Sequence, residues 1–398
     1  MQNLVTAGRP HGMMAVMQLP SALSFLVDAA IDMPDGDAFL TALAARLVAD
    51  GLPLTGGALT QAAPHPVIER RIWLWRADTG RVIEALGLTR AFGPAAAQPA
   101  DIGRSDIAKT DIAGTDSART DIGKRTDIAQ TWLAGLGTPS IQEEAAGGAT
   151  LAWSADRPFT PDEADLLREV ARFAAAPLAV LAARSTLSAL LTTYLGRRSA
   201  AQVLAGRLRR DPGETIRAAL LFADLRGFTE LSETTDAKEV IVALDAWFDR
   251  VAGAVHAFGG EVLKFIGDGV LAIFPVGERG ATAACDAALR AVSAARAGMD
   301  HLDKVRSAQG QKPLTFGVAL HLGDMLWGNI GTADRLDFTA IGPAVNLVSR
   351  LEGLCRPLGC TVLVSGAFAA ETTQPLNPLG DHSLRGIAAP CAVFTPQR

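Results

Sequence analysis

The chain has 398 residues, 49% of them hydrophobic and 20% charged, so two folded domains can each bury a core. A net charge of −5 gives no sign of a nucleic-acid partner or of a polybasic membrane-binding surface. The four cysteines (Cys285, Cys355, Cys360, Cys391) form no CxxC pair and have no histidine at ligand spacing, a pattern of reduced thiols rather than of disulfides or zinc.

Two apolar stretches bear on membrane insertion. Residues 13–30 are interrupted by Pro20 and Asp28 and lack a basic segment followed by a cleavage site. Residues 174–195 contain Pro177 and Arg184. Neither gives an unbroken apolar run of about 20 residues, and a cytoplasmic protein is expected.

In residues 1–183, Ile68–Arg76 is rich in β-branched and aromatic residues. Asp78, Thr79 and Gly80 turn it into a second strand at 81–86, a hairpin. A further strand is predicted at 148–154. Thr160, Pro161 and Glu163 have the spacing of an N-cap, a first helical position and a capping box, and the helix continues through Leu166, Leu167, Val170, Phe173 and Leu178. Pro177 is expected to kink it. Between these elements Asp recurs at 101, 106, 111, 116 and 121, within a tract, 101–130, too short for a solenoid and read as a polar mobile loop.

Residues 184–215 read as a helical connector, with Leu187, Leu190, Leu191, Tyr194 and Leu195 on one stripe and a stop at Asp211-Pro212-Gly213. The stripe fits a dimer seam and packing on its own domain equally well.

From 216 onward strands and helices alternate. Strands are expected at 216–223, at Glu261–Ile266 and 270–274 (joined by Gly267-Asp268-Gly269), at 314–321, 325–330 and 361–364. Helices are expected across Val240 to Val255, at 280–302 and at 343–355. The order predicts an α+β domain with helices on one face of an antiparallel or mixed sheet.

Asp224 closes the first strand and Asp268 sits at the hairpin tip. If these strands are neighbours the carboxylates converge, an arrangement that is costly without a cation. Mg²⁺ combines few carboxylates with phosphate oxygens, and two such ions can activate a hydroxyl and neutralise a leaving pyrophosphate. Gly227 allows a tight turn, and the amides of Gly227, Phe228 and Thr229 follow at a helix start suited to phosphates. Asn346 and Arg350, four apart, share a helix face; Arg can stabilise charge on a phosphoryl oxygen.

Five segments in order, LLFADLRGFTELSE, GGEVLKFIGDGVLAIFP, GVALHLGDMLWGNIG, RLDFTAIGPAVNLVSRLE and DHSLRGI, resemble the class III adenylyl and guanylyl cyclase catalytic domain. The resemblance covers nearly half the chain and implies a ferredoxin-like α+β core. Asp224, Asp268 and the Leu225 carbonyl would hold two Mg²⁺ or Mn²⁺ ions. Lys264 and Thr339 would read adenine, Asn346 would orient the ribose, and Arg350 would stabilise the transition state. Arg385 stands where the family usually has a phosphate-binding lysine, and Pro343 where Asp is commoner. The family works as a head-to-tail dimer with shared sites, so a homodimer acting on ATP is implied, with a guanylate cyclase or an inactive nucleotide-binding module as alternatives. Neither a nucleic-acid nor a membrane partner is implied. Leu52-Pro53-Leu54, His65-Pro66, the Trp-rich strand and the Arg157 to Pro161 segment resemble a GAF-like α/β regulatory domain, whose ligand or partner the residues do not identify.

Overall fold

The computed structural model describes residues 19–63, 68–88, 128–136, 140–145 and 148–397. His65 and most of the Asp-repeat tract lie outside these. The chain divides into two compact units, 1–190 and 191–398.

In the first unit the helices are α1 (Ser21–Asp28), α2 (Gly36–Ala49), α3 (Ile128–Ala134) and α4 (Pro161–Leu195), and the strands β1 (Leu54–Ala62), β2 (Ile68–Arg76), β3 (Val82–Leu88), β4 (Ser140–Ala145) and β5 (Ala149–Ala155). The strands form one sheet in the order β3-β2-β1-β5-β4, antiparallel at every pairing. The unit is therefore α+β, not the α/β arrangement expected. Its core gathers Phe39, Leu43, Leu59, Trp73, Trp153, Leu167 and Leu178. Each large apolar side chain buried there contributes about 1.5–3 kcal/mol.

The capping box is present. Thr160 Oγ1 accepts from the Glu163 amide at 3.3 Å, and a Glu163 carboxylate oxygen accepts from the Thr160 amide at 2.8 Å. From this start α4 runs 35 residues, and Pro177 lies inside it without ending it. Its length and a mean hydropathy of 1.5 would suffice to cross a membrane, so Pro177 and Arg184 interrupt the apolar run less than expected. However, Leu167, Val170, Ala174, Leu178 and Leu181 are buried in the unit's own core. The predicted connector is no separate element: its first residues complete α4, a short α5 (Arg197–Leu204) follows, and the next strand begins at Glu214.

The second unit continues with β6 (Glu214–Leu225), α6 (Phe228–Thr234), α7 (Ala237–Ala257), β7 (Glu261–Ile266), β8 (Gly269–Pro275), α8 (Gly280–Ala308), β9 (Phe316–Gly331) and β10 (Leu336–Ile341). It ends with α9 (Pro343–Glu352), β11 (Val362–Ser365), α10 (Gly366–Ala369), β12 (Leu376–His382) and β13 (Cys391–Pro396). Its sheet has the order β12-β13-β11-β9-β6-β8-β7, with β10 paired to β9; β11 and β9 are parallel and the other pairings antiparallel.

Strand alternation divides β6 between two cores. Ala219, Leu221, Ala223 and Leu225 pack with α7 and α8, whereas Ala218 and Leu220 pack with Ala344, Val348 and Leu351 of α9. Helices thus cover both faces, not one. The two strands predicted at 314–321 and 325–330 are a single 16-residue strand. Leu322 and Gly323 keep register opposite Ala219 and Ala218, and Gly323 marks a close approach rather than a break. A Cβ there would lie 2.8 Å from the Ala344 Cβ.

Candidate active site

The central strand of the second unit delivers Asp224 to its end, opposite Gly317 of β9. Asp268 occupies the turn between β7 and β8, and β8 is the other neighbour of β6, so the carboxylates meet at one edge of the sheet. The turn is fixed from behind: Trp247 of α7, fully buried, donates its Nε1 proton to the Asp268 carbonyl at 2.9 Å. Gly267, at φ 62, supplies the left-handed residue the turn requires.

Burial raises the Asp224 carboxyl to about 7; the charge of Asp268, a hydrogen bond to it and the charge of Glu352 add to the effect. The charges acting on Asp224 are all negative, opposed only by a hydrogen bond from the Leu225 amide. Such a pair fits a divalent cation, whose charge would remove the repulsion. Among the described residues no three His, Cys, Asp or Glu side chains are grouped as a metal site, so the protein's side chains offer the two carboxylates and little more. That donor set leaves room for phosphate oxygens, as Mg²⁺ sites at nucleotides do.

Glu352 was not singled out in the sequence. It ends α9, two residues from Arg350 and hence about 200° around the helix from it. Its carboxyl is pushed up by burial, against the pull of Arg226 and with the push of Asp268. Gly317 makes room for it, because a Cβ at that position would collide with the Glu352 carboxylate.

The segment after Asp224 is partly as expected. Gly227 is left-handed at φ 73 and precedes α6. Phe228 packs against the core and Thr229 is exposed. Arg226 turns inward instead: its Nη2 donates to the Cys360 carbonyl at 2.6 Å and its amide to the Thr315 carbonyl at 2.8 Å.

Lys264 lies on β7, and its Nζ pairs with the Asp337 carboxylate of β10. Thr339, two residues along the same strand, shares the face of Asp337. Lys264, Phe265, Asp337 and Phe338 line part of a cavity of about 890 Å³.

Asn346 and Arg350 are on one face of α9, as spaced, and both are exposed, while Ala344, Val348 and Leu351 of the same helix are buried. The lining of the cavity includes neither of them, nor Asp224 or Asp268. Pro343 is the first residue of α9, where its fixed φ favours helix initiation, which accounts for a proline there. Arg385 is exposed on the turn after β12, next to the left-handed Gly386. Within one chain, then, the Asp pair forms one group, Lys264 and the β10 residues a second, and the α9 pair a third.

Residues 212–379 match the family model of the adenylate and guanylate cyclase catalytic domain. They are a cyclase catalytic domain. Adenylate cyclase from Anabaena cylindrica is 32% identical over 165 residues, 40% of this chain and 32% of that protein. Adenylate cyclase 1 from Rhizobium meliloti (strain 1021) is 33% identical over 179 residues, 44% of this chain and 26% of that protein. The chain therefore spans about a third or less of these curated relatives. Among solved structures, the adenylyl cyclase CyaB from P. aeruginosa resembles it at 28% identity and a TM-score of 0.41, covering 47% of this chain and 97% of that one. The cyclase domain begins at the start of β6 and carries every residue of the three groups, whereas Arg385 lies beyond residue 379.

Proposed function

We propose that the chain is an adenylate cyclase, converting ATP to 3′,5′-cyclic AMP and pyrophosphate at sites shared between two copies of itself. The observation that carries this is the meeting of the Asp224 and Asp268 carboxylates at the sheet edge within a cyclase domain. In the reaction the ribose 3′-oxygen bonds to the α-phosphorus, the bond from that phosphorus to the bridging oxygen breaks, and pyrophosphate departs with that oxygen. The 3′-hydroxyl proton passes to solvent.

Asp224 and Asp268, with the Leu225 carbonyl, would hold two Mg²⁺ or Mn²⁺ ions, which supply charge neutralisation and a more acidic 3′-hydroxyl. Gly227, Phe228 and Thr229 present the start of α6 to the phosphates. Lys264 donates to a ring nitrogen of adenine, and Thr339 accepts from its amino group. Guanine reverses that pattern of donor and acceptor, which favours ATP over GTP. Asn346 orients the ribose and Arg350 neutralises charge growing on the phosphoryl oxygens. Arg385 is a further contact for the phosphates.

Two features support a shared site. Asn346 and Arg350 point outward from α9, away from the core of their own chain. Leu187, Leu190, Tyr194 and Leu195 are exposed along the end of α4, which favours the dimer-seam reading of that stripe. The first unit, with a core of its own, is read as the regulatory domain, acting through α4 on a ligand or partner still to be identified. A cytoplasmic location belongs to the same reading, although only 22% of the most apolar window of α4 is buried.

Purified protein supplied separately with ATP and GTP, with Mg²⁺ or Mn²⁺, tests the proposal. Cyclic AMP and pyrophosphate in equal amounts are expected from ATP, with much less cyclic GMP from GTP. A preference for GTP would make it a guanylate cyclase, and no product from either would make the domain a binding module.

A further inference from the structure

Lys264 does not stand alone in its cavity. Its ammonium meets Asp337, and the contact ties β7 to β10, two strands that are not hydrogen-bonded neighbours. Along β10 the side chains alternate, so Asp337 and Thr339 lie on one face and Phe338 on the other. Phe338 stacks on Trp327 of β9, ring centroids 4.9 Å apart, which fixes the orientation of the strand. Asp337 and Thr339 lie opposite Ile330 and Gly328, so a carboxylate and a hydroxyl form a short polar row whose carboxylate meets the lysine.

The Lys264 and Asp337 side chains are 40% and 57% exposed. At that exposure an ion pair adds little to fold stability, so holding β7 and β10 together is a weak reason for it. Its effect on Lys264 is more specific. A lysine side chain is a flexible four-carbon stem with three rotatable donors, and fixing it costs conformational entropy. A carboxylate that takes one of the three N–H groups leaves two directed elsewhere. Two residues further along the same face of β10 is Thr339, the acceptor proposed for the amino group of adenine.

We propose that Asp337 is a positioning residue for purine recognition. It anchors the Lys264 ammonium next to the Thr339 hydroxyl, so that a donor and an acceptor at fixed spacing meet a 6-aminopurine nucleotide. A 6-oxopurine would face the same row with its donor and acceptor reversed. The proposal rests on the reading of Lys264 and Thr339 as the base-contacting residues.

The test is equilibrium binding to full-length protein by calorimetry in Mg²⁺, with the α,β-methylene analogues of ATP and GTP, whose α–β bridge the reaction cannot break. Asp337→Asn is expected to weaken the adenine analogue about tenfold, the scale of one charge-assisted hydrogen bond, and to leave the guanine analogue within about twofold. Asp337→Glu is expected to restore most of the loss. In a Lys264→Met background, Asp337→Asn should add nothing, because the carboxylate acts through the lysine. Equal weakening with and without Lys264, or of both analogues alike, would overturn the positioning role in favour of a structural one. If Lys264→Met weakens the adenine analogue and Asp337→Asn does not, only the role of Asp337 falls. If Lys264→Met changes neither affinity, or wild-type protein binds neither analogue, the base-reading assignment falls and the role of Asp337 with it.

Discussion

Removing one charge from the metal site should stabilise the metal-free protein while abolishing its chemistry. In Asp224→Asn the side chain keeps its size and its capacity to hydrogen-bond Asp268, but it no longer carries a charge into a half-buried position. The folded Asp224 carboxyl lies at about 7 against an ordinary 3.8. In the folded state the proton is therefore held between those values while the unfolded chain has released it. Stability falls as pH rises from about 4 to about 7 and stays lower above that. A shift of about 3 units corresponds to at most ~4 kcal/mol. Solvent screening of a half-buried group reduces this to about 1–2 kcal/mol. Amide exchange along the β6–β8 ladder, measured in chelator, reads the local stability of this unit directly. At pH 8 the variant should be more protected by that amount. At pH 4 and below, where Asp224 is protonated in the folded and increasingly in the unfolded chain, the difference should nearly vanish. Mg²⁺ at about 100 times its dissociation constant should then stabilise wild type by about 2.7 kcal/mol and the variant far less. A variant less stable than wild type at pH 8, or a difference independent of pH, would refute the argument that the carboxylates meet without compensation.

Trp247→Phe should leave the Asp268 carbonyl without its donor, at a cost of about 1 kcal/mol; faster amide exchange at 266–269 and weaker Mg²⁺ dependence of turnover would report it. His321, 8% exposed and bonded through Nδ1 to Ser365 Oγ at 2.8 Å, is pushed down to about 4 by burial. Its folded value lies below its unfolded one, so its stability contribution is present above about 6.5 and is lost as pH falls towards 4, by up to about 3 kcal/mol. His321→Asn should flatten the acid limb of urea-unfolding midpoints for this unit between those values.

Much of the fold was legible because its signals are local. The Thr160 capping box, the Ile68–Arg76 hairpin and the buried stripe of α7 are written at fixed spacings, and each formed where expected. The strands β10, β12 and β13 were not predicted; they are short and half-exposed, although β10 pairs with the strand just before it and β12 with the strand just after it. Gly323 reads as a break in sequence and proves to be a contact, a distinction that depends on Ala344 twenty-one residues away. At the site, Asp224 and Asp268 were legible as strand-end and turn acids. Glu352 and Asp337 were not, because an acid on a helix end or a strand has no local mark that separates it from a solvated one. Their significance comes from Gly317 and Lys264, which only the fold brings to them.

The central claim is that each site is completed by residues from two copies of the chain. Protein carrying Asp268→Ala and protein carrying Arg350→Ala should each be inactive with ATP. Mixed in equal amounts and allowed to exchange subunits, they form heterodimers in which one site holds both lesions and the other holds neither. Cyclic AMP production should return to about a quarter of the unmutated rate with random exchange. No recovery, with exchange demonstrated by a labelled subunit, would contradict the shared site.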